Sequence, residues 1–191
     1  MNHLGPDNVL LGQKVSLRPP RIEDLSFIHS LWTDPETMEA LGGIVDYSEE
    51  KMRNWFRRLV DPGGSTDCYC LILNEDAKPI GEVSFHSFDS ENRSARLNIK
   101  VHASQRGHGY GKDALVTFLT FFFGSVGGQA MTDPAGLDND LAKRLLLTSG
   151  FEIDNNYSDV FMMFMTREMY LARYKNPNKP PETVPDGLSQ F

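Results

Sequence analysis

Arg106-Gly107-His108-Gly109-Tyr110-Gly111-Lys112 places two cations around three alternate glycines. Glycine lacks Cβ, so it takes up positive φ and lets a ligand approach the main chain closely. If a helix starts at such a turn, its first N–H groups have no intrahelical acceptor and carry the positive end of the helix dipole. The combination is an anion cradle suited to a phosphate or pyrophosphate, to which Arg106 and Lys112 can add charge-assisted contacts. A plain tight turn is the alternative. The flanking segments decide between the two.

Before the turn, Ala95, Leu97, Ile99 and Val101 alternate with Arg96, Asn98, Lys100 and His102, the period of a half-buried strand. After it, Ala114, Leu115, Phe118, Leu119 and Phe122 form one stripe at helical spacing. Strand, glycine turn and helix together favour a phosphate ligand. The dinucleotide fingerprint Gly-x-Gly-x-x-Gly does not fit, because here the spacing is Gly-x-Gly-x-Gly. The nucleoside-triphosphate loop fails as well, since Asp113 follows Gly111-Lys112 where Ser or Thr is needed.

The segment resembles the acetyl-coenzyme A loop of the GNAT superfamily of N-acetyltransferases, Arg/Gln-x-x-Gly-x-Gly/Ala, with Arg106, Gly109 and Gly111 at the matching positions. Asn139-Asp140-Leu141-Ala142, running on to Gly150-Phe151, resembles that family's second motif, Asn-x-x-Ser/Ala followed by a helix that closes on Gly-Phe. Leu141, Ala142, Leu145 and Leu146 make a helical stripe, and Gly150 suits the position past a helix end. The resemblance spans about Lys14 to Arg167. It implies that acetyl-CoA is the acyl donor, held by the main chain near Ile99 and Val101, by Arg106, Gly107, His108, Gly109, Tyr110, Gly111 and Lys112, and by Asn139 and Lys143. It implies no metal. Within the superfamily, the branch of ribosomal-protein N-terminal and small-amine acetyltransferases looks nearest.

A chain of 191 residues suits one well-buried domain. Residues 1–174 are expected to form it, with 175–191, rich in proline, as an extended tail. With 19 basic against 26 acidic residues and no dense Lys/Arg cluster, nucleic acid is not an expected partner. Cys68 and Cys70 lie at i and i+2 of a strand and read as buried reduced thiols. The N-terminus lacks a basic start and an apolar run, and no span reaches about 18 apolar residues, so a cytoplasmic protein without a membrane partner is expected. Oligomeric state is open, a homodimer included.

Gln13 to Arg18 alternates as a first strand, and Ile22, Leu25, Ile28, Leu31 and Trp32 mark a first helix. Glu36 to Asp46 is expected to be a connecting loop with room for a short helical turn, and the resemblance implies that it borders the acceptor pocket. Ser48, followed by Glu49 and Glu50, caps a second helix carrying Met52, Trp55, Phe56 and Leu59. That stripe reads as core, although Trp55 or Phe56 could wall the acceptor site. Cys68–Leu73 and Pro79–Phe88 form a hairpin whose second strand puts Ile80, Glu82, Ser84 and His86 on one face. Gly127 to Asp133 is a further strand, Asp133 to Gly136 leads into the second motif helix, and Phe161 to Thr166 closes the series. The order predicts an α+β fold: a mixed, mostly antiparallel sheet with helices on both faces.

The reaction implied is attack of a primary amine on a thioester. The amine must lose a proton, the oxyanion needs a donor, and the departing sulfur benefits from a proton. Many relatives carry a strand carboxylate in the register of Arg96 and a tyrosine acid in the register of Leu146, so the usual acid and one usual base are missing here. Glu82 is the leading substitute for the base, with His86 and His102 weaker candidates. A solvated or salt-bridged Glu82 is the structural alternative. The net charge of −7 suits a cationic acceptor. A non-catalytic acyl-CoA sensor or scaffold is the competing reading, favoured by Arg96 and Leu146.

Overall fold

The computed structural model describes residues 4, 5 and 7–174, so the tail expected over 175–191 lies outside the described residues. The described residues contain eight strands: β1 (Leu10–Leu11), β2 (Ser16–Arg18), β3 (Cys68–Leu73), β4 (Pro79–Asp89), β5 (Ser94–Val101), β6 (Ala130–Ala135), β7 (Glu152–Asp154) and β8 (Phe161–Thr166). They form one sheet in the order β1-β2-β3-β4-β5-β6-β8-β7. Among the described residues, only β5 and β6 pair in parallel. The helices are α1 (Leu25–Thr33), α2 (Pro35–Met38), α3 (Glu49–Leu59), α4 (Tyr110–Phe121), α5 (Asp140–Thr148) and α6 (Arg167–Tyr174).

Period-2 alternation gives the sheet two apolar faces, and each is covered by helices. On one face Val83, Phe85, Leu97, Met131 and Met163 pack with Leu115, Phe118 and Leu119 of α4 and Leu146 of α5. On the other, Tyr69 and Leu71 pack with Ile28, Leu31 and Trp32 of α1 and Met52, Trp55 and Phe56 of α3. This is the expected α+β layering. The aromatic stripe of α3 is core: Trp55 meets Trp32 and Tyr69 edge-on, each with ring centroids 4.9 Å apart.

The pairing of β5 with β6 stops at Arg96 opposite Thr132. Beyond it, β5 continues along β4 as far as Val101, while β6 continues along β8 as far as Ala135. A gap therefore opens in the middle of the sheet, with unpaired strand edges on both sides. Gly81 helps to hold the β5 side in place, because a Cβ there would stand 2.3 Å from the carbonyl oxygen of Lys100.

Several boundaries differ from the sequence expectation for identifiable reasons. The first long strand starts at Ser16 instead of Gln13, because the N–H groups of Gln13, Lys14 and Val15 donate to the Asp113 carboxylate. Strand β6 starts at Ala130 instead of Gly127, because α4 runs on through a π-helical turn, Phe122–Val126. Pro134 and Ala135, expected as part of the lead-in to α5, extend β6 past Asp133, its expected last residue. The loop from Glu36 begins as helix: Pro35 sits at its first position, and Asp34 Oδ1 accepts from the Thr37 N–H at 2.7 Å. Ile80 joins the core of Val83 and Phe85 instead of sharing a face with Glu82, because the β3–β4 register shifts there. Strands β1 and β7 and helix α6 are additions to the expected order.

Candidate active site

The glycine turn is rigidly supported. Gly107 and Gly109 both have φ +82°, a conformation that side chains with Cβ rarely adopt. Gly109 is the N-cap of α4, and no atom lies within 4 Å of where a Cβ on Gly107 would stand, so the turn is open to a ligand. Asp113, in the first turn of α4, accepts three main-chain N–H groups at 2.7–3.1 Å and so ties the start of the helix to the edge of the sheet. Lys14 Nζ donates to the His108 carbonyl at 3.0 Å. On the strand side, His102 Nδ1 accepts from the Ser104 N–H and caps a 3-10 turn, Ala103–Gln105. His102 is therefore a structural cap.

The turn forms one end of a cleft of about 400 Å³ between β5 and α5. Ile99, Val101, Arg106, Gly107, Gly109, Tyr110, Gly111, Lys112 and Asn139, all named from sequence, line it. The main chain and the N-terminal dipole of α4 supply what a pyrophosphate needs, and the unpaired edge of β5 supplies donors and acceptors for an extended amide-bearing arm. The residues present thus fit coenzyme A.

Two other residues named for the donor lie elsewhere. Lys143 Nζ sits 3.7 Å from the centre of the Phe161 ring, because one helical step beyond Ala142 turns it away from the cleft. The His108 ring stacks on Tyr110, with ring centroids 5.6 Å apart, and is outside the lining. Arg144 takes the place expected of Lys143 on the cleft wall, with Leu141, Leu145 and Thr148. Its position follows from Leu141 at i−3, a spacing visible in the sequence. Leu141 is 54% exposed, so this end of the expected apolar stripe faces the cleft and not the core.

A short roof closes the other side. Thr37 Oγ1 accepts from the Ala103 N–H at 2.9 Å, Arg106 Nη2 donates to the Thr37 carbonyl at 3.1 Å, and Asn139 Nδ2 donates to the Ala40 carbonyl at 3.2 Å. Asn139 also caps α5 through its Oδ1, which accepts from the Ala142 N–H. Both sequence motifs thus hold the segment from Glu36 to Leu41, and Glu36 and Glu39 are among the residues that line the cleft.

Glu82 lies on the opposite face of the sheet, at 0% exposure. Trp32 Nε1 donates to both of its oxygens, at 3.1 and 3.0 Å, and Lys100 Nζ forms an ion pair with Oε1. Lys100 also lines the cleft, so it stands between Glu82 and the ligand space. The Tyr69 hydroxyl is buried without a hydrogen-bond partner, and burial together with the Glu82 charge pushes its pKa well above the usual phenol value. His86 is held between Asp67 and Ser84, at 2.9 Å from each. Cys68 and Cys70 are buried and free; hydrogen bonding to Cys68, followed by burial, pushes the Cys70 thiol up. Among the described residues, no group of three or more His, Cys, Asp or Glu is placed to hold a metal ion. Among them also, no helix is long and apolar enough to cross a membrane.

The family model described as an acetyltransferase (GNAT) domain matches residues 14–152. An uncharacterized N-acetyltransferase, p20, from Bacillus licheniformis is 21% identical over 145 residues, 75% of this chain and 82% of that protein. Among solved structures, a spermidine N-acetyltransferase from Vibrio cholerae in complex with CoA and spermine superposes with a TM-score of 0.75 at 19% identity, covering 83% of this chain and 98% of that one. A GNAT-family acetyltransferase from Bacillus anthracis gives a TM-score of 0.69 at 15% identity, covering 84% and 99% of the two chains.

Proposed function

Because the chain belongs to the acetyltransferase (GNAT) family, and is thus an acetyl-CoA-dependent acetyltransferase, we propose that its acceptor is a primary amine on a small polycation or a protein N-terminus. The amine attacks the thioester directly, with no covalent intermediate on the enzyme. The observation that carries this reading is the open glycine turn at the start of α4, facing a cleft whose inner wall is the unpaired edge of β5. Arg106 and Lys112 add positive charge where a pyrophosphate would lie. Main-chain N–H groups near Ile99 to Val101 are the donors for a developing oxyanion.

A cationic acceptor is supported by Glu36 and Glu39 on the roof and by the net charge of −7. The Vibrio cholerae relative, described as a spermidine N-acetyltransferase, is consistent with it. Glu82 is the base in this reading. An incoming ammonium displaces Lys100 from the carboxylate, which then accepts the proton directly or through water. Positioning supplies much of the acceleration, since a thioester is already activated.

Release of free thiol from acetyl-CoA is the test, measured with polyamines, aminoglycosides and basic peptides as acceptors. Turnover with at least one of these amines is expected. Coenzyme A binding without turnover on any amine would favour the sensor reading. Thermal stabilisation by coenzyme A, but not by ATP or NAD, is expected for the cradle.

A further inference from the structure

Asp133 is the one ionisable residue of β6. It lies between Met131 and Ala135 in a strand whose alternate residues share a face, and both of these are buried in the core beneath α4 and α5. Its partner across the β6–β8 ladder, Met163, is buried in the same core. The Asp133 side chain therefore projects on the side of the sheet that holds the cleft. Continuing the β5–β6 register one step past Arg96 and Thr132 sets Asp133 opposite Leu97, where pairing has ended. Ile99, two residues further along the same face of β5, lines the cleft. Asp133 is thus the first residue of β6 past the point where the two strands part, beyond the residues that line the cleft itself.

This position is unusual for a carboxyl group. Met131 and Ala135 are buried at 0% and 3%, whereas Asp133, between them, keeps partial exposure. Its carboxyl is neither hydrogen-bonded nor ion-paired to any described residue. Burial pushes its pKa from 3.8 to about 7, with the Arg96 charge opposing the rise. Arg96 is the one charged group acting on it among the described residues; the facing stretch of β8, from Met162 to Phe164, is apolar. A carboxyl that is half protonated near neutral pH can donate a proton that an ordinary aspartate has already lost.

We propose that Asp133 is the general acid of the reaction, giving its proton to the thioester sulfur as the carbon–sulfur bond breaks. Its place at the end of the gap between β5 and β6 puts it on the donor's side of the sheet, while Glu82 works from the acceptor's side. The role rests on the acetyl-transfer reading. As the amine nitrogen bonds to the acetyl carbon, the electron pair of the broken bond passes to sulfur and takes the Asp133 proton. The amine's proton leaves to Glu82 or water, and solvent reprotonates Asp133 before the next cycle. The acid that Leu146 cannot supply from α5 thus comes from the neighbouring strand.

Asp133→Asn keeps the shape and removes the acid. In the full-length protein, kcat with the best amine is expected to fall about ten- to a hundredfold, with coenzyme A affinity within about twofold of wild type. The wild-type kcat–pH profile should carry a limb with an apparent pKa near 7, and the variant should lack it. As a readout independent of turnover, infrared difference spectra should show a carboxyl band in the wild type that titrates near neutral pH and is absent from Asp133→Asn. A variant kcat within twofold of wild type, an unchanged pH profile, or a carboxyl that is fully ionised at pH 5 overturns the assignment. A parallel loss of coenzyme A binding and kcat also overturns it, by making Asp133 structural. Absence of turnover in the wild type itself would sink the acetyl-transfer reading instead, so the two failures are distinct.

Discussion

Replacing Lys100 with methionine tests whether the Glu82–Lys100 pair is the desolvated element that the geometry describes. Glu82 is 0% exposed and the Lys100 side chain 11%, so neither charge has much water to return to. In Lys100→Met the carboxylate keeps only the Trp32 N–H donor, an uncompensated buried charge that costs about 3–5 kcal/mol. For a chain of this size, each kcal/mol lowers Tm by about 2–4 °C, so a fall of about 6–20 °C is expected. Glu82→Gln should cost less, because the freed ammonium can turn into the cleft that Lys100 already lines, and the amide oxygen can still accept from Trp32. The Glu82→Gln, Lys100→Met double variant should recover much of the loss, giving a coupling energy of about 2 kcal/mol or more. Urea unfolding of the four proteins at pH 7 supplies the cycle. If Lys100→Met lost less than about 1 kcal/mol, or the two substitutions were additive, the charges would have to be solvated and the argument from burial would fail.

Three other substitutions and one reagent probe the support of the site and its surroundings. Gly109→Ala forces Cβ into a φ of +82° and to 3.3 Å from Lys14 Nζ; it should cost about 1–2 kcal/mol and weaken coenzyme A at least tenfold by calorimetry. Asp113→Ala leaves three main-chain N–H groups without their acceptor. A loss of about 2–3 kcal/mol is expected in urea unfolding, and an unchanged midpoint would show that the tie between β2 and α4 is dispensable. Asp133 also links stability to pH: from 3.8 to about 7 the unfolded chain releases a proton that the folded protein keeps, so ionisation works against the fold as pH rises. Asp133→Asn should therefore gain on wild type between pH 4 and pH 8, by at most about 4 kcal/mol, and equal pH profiles would contradict the buried carboxyl. Cys68 and Cys70 are buried, so thiol reagents should label neither until the protein unfolds.

Local rules were reliable wherever the physical cause was local. Strand signals in the sequence located the whole of β3 and β8 and most of β4 and β5, and the Ser48 cap gave the start of α3, where its hydroxyl accepts from the Lys51 N–H. What lay beyond them were elements too short to carry a period. Strand β1 has two residues and β7 three, and each is defined by the strand it pairs with. Helix α6 follows β8 without a break, so no turn signal separates them. A π-helical turn kept the phenylalanine-rich helix going past its expected end.

The sequence alone determined the strand, glycine turn and helix of the donor site, because period, positive φ and the dipole of a helix start are properties of neighbouring residues. The tertiary structure alone decided which distant side chains meet. Glu82 finds Trp32 fifty residues away and Lys100 eighteen away, Asp113 reaches back to the segment between β1 and β2, and Lys143 yields the cleft wall to Arg144. Such meetings depend on strand register and on which helix covers which face, and a shift of one residue would send each side chain to the other side of the sheet. That is why Asp133, by sequence only the end of a short strand, becomes a carboxyl whose pKa burial pushes up once β6 packs beneath α4 and α5.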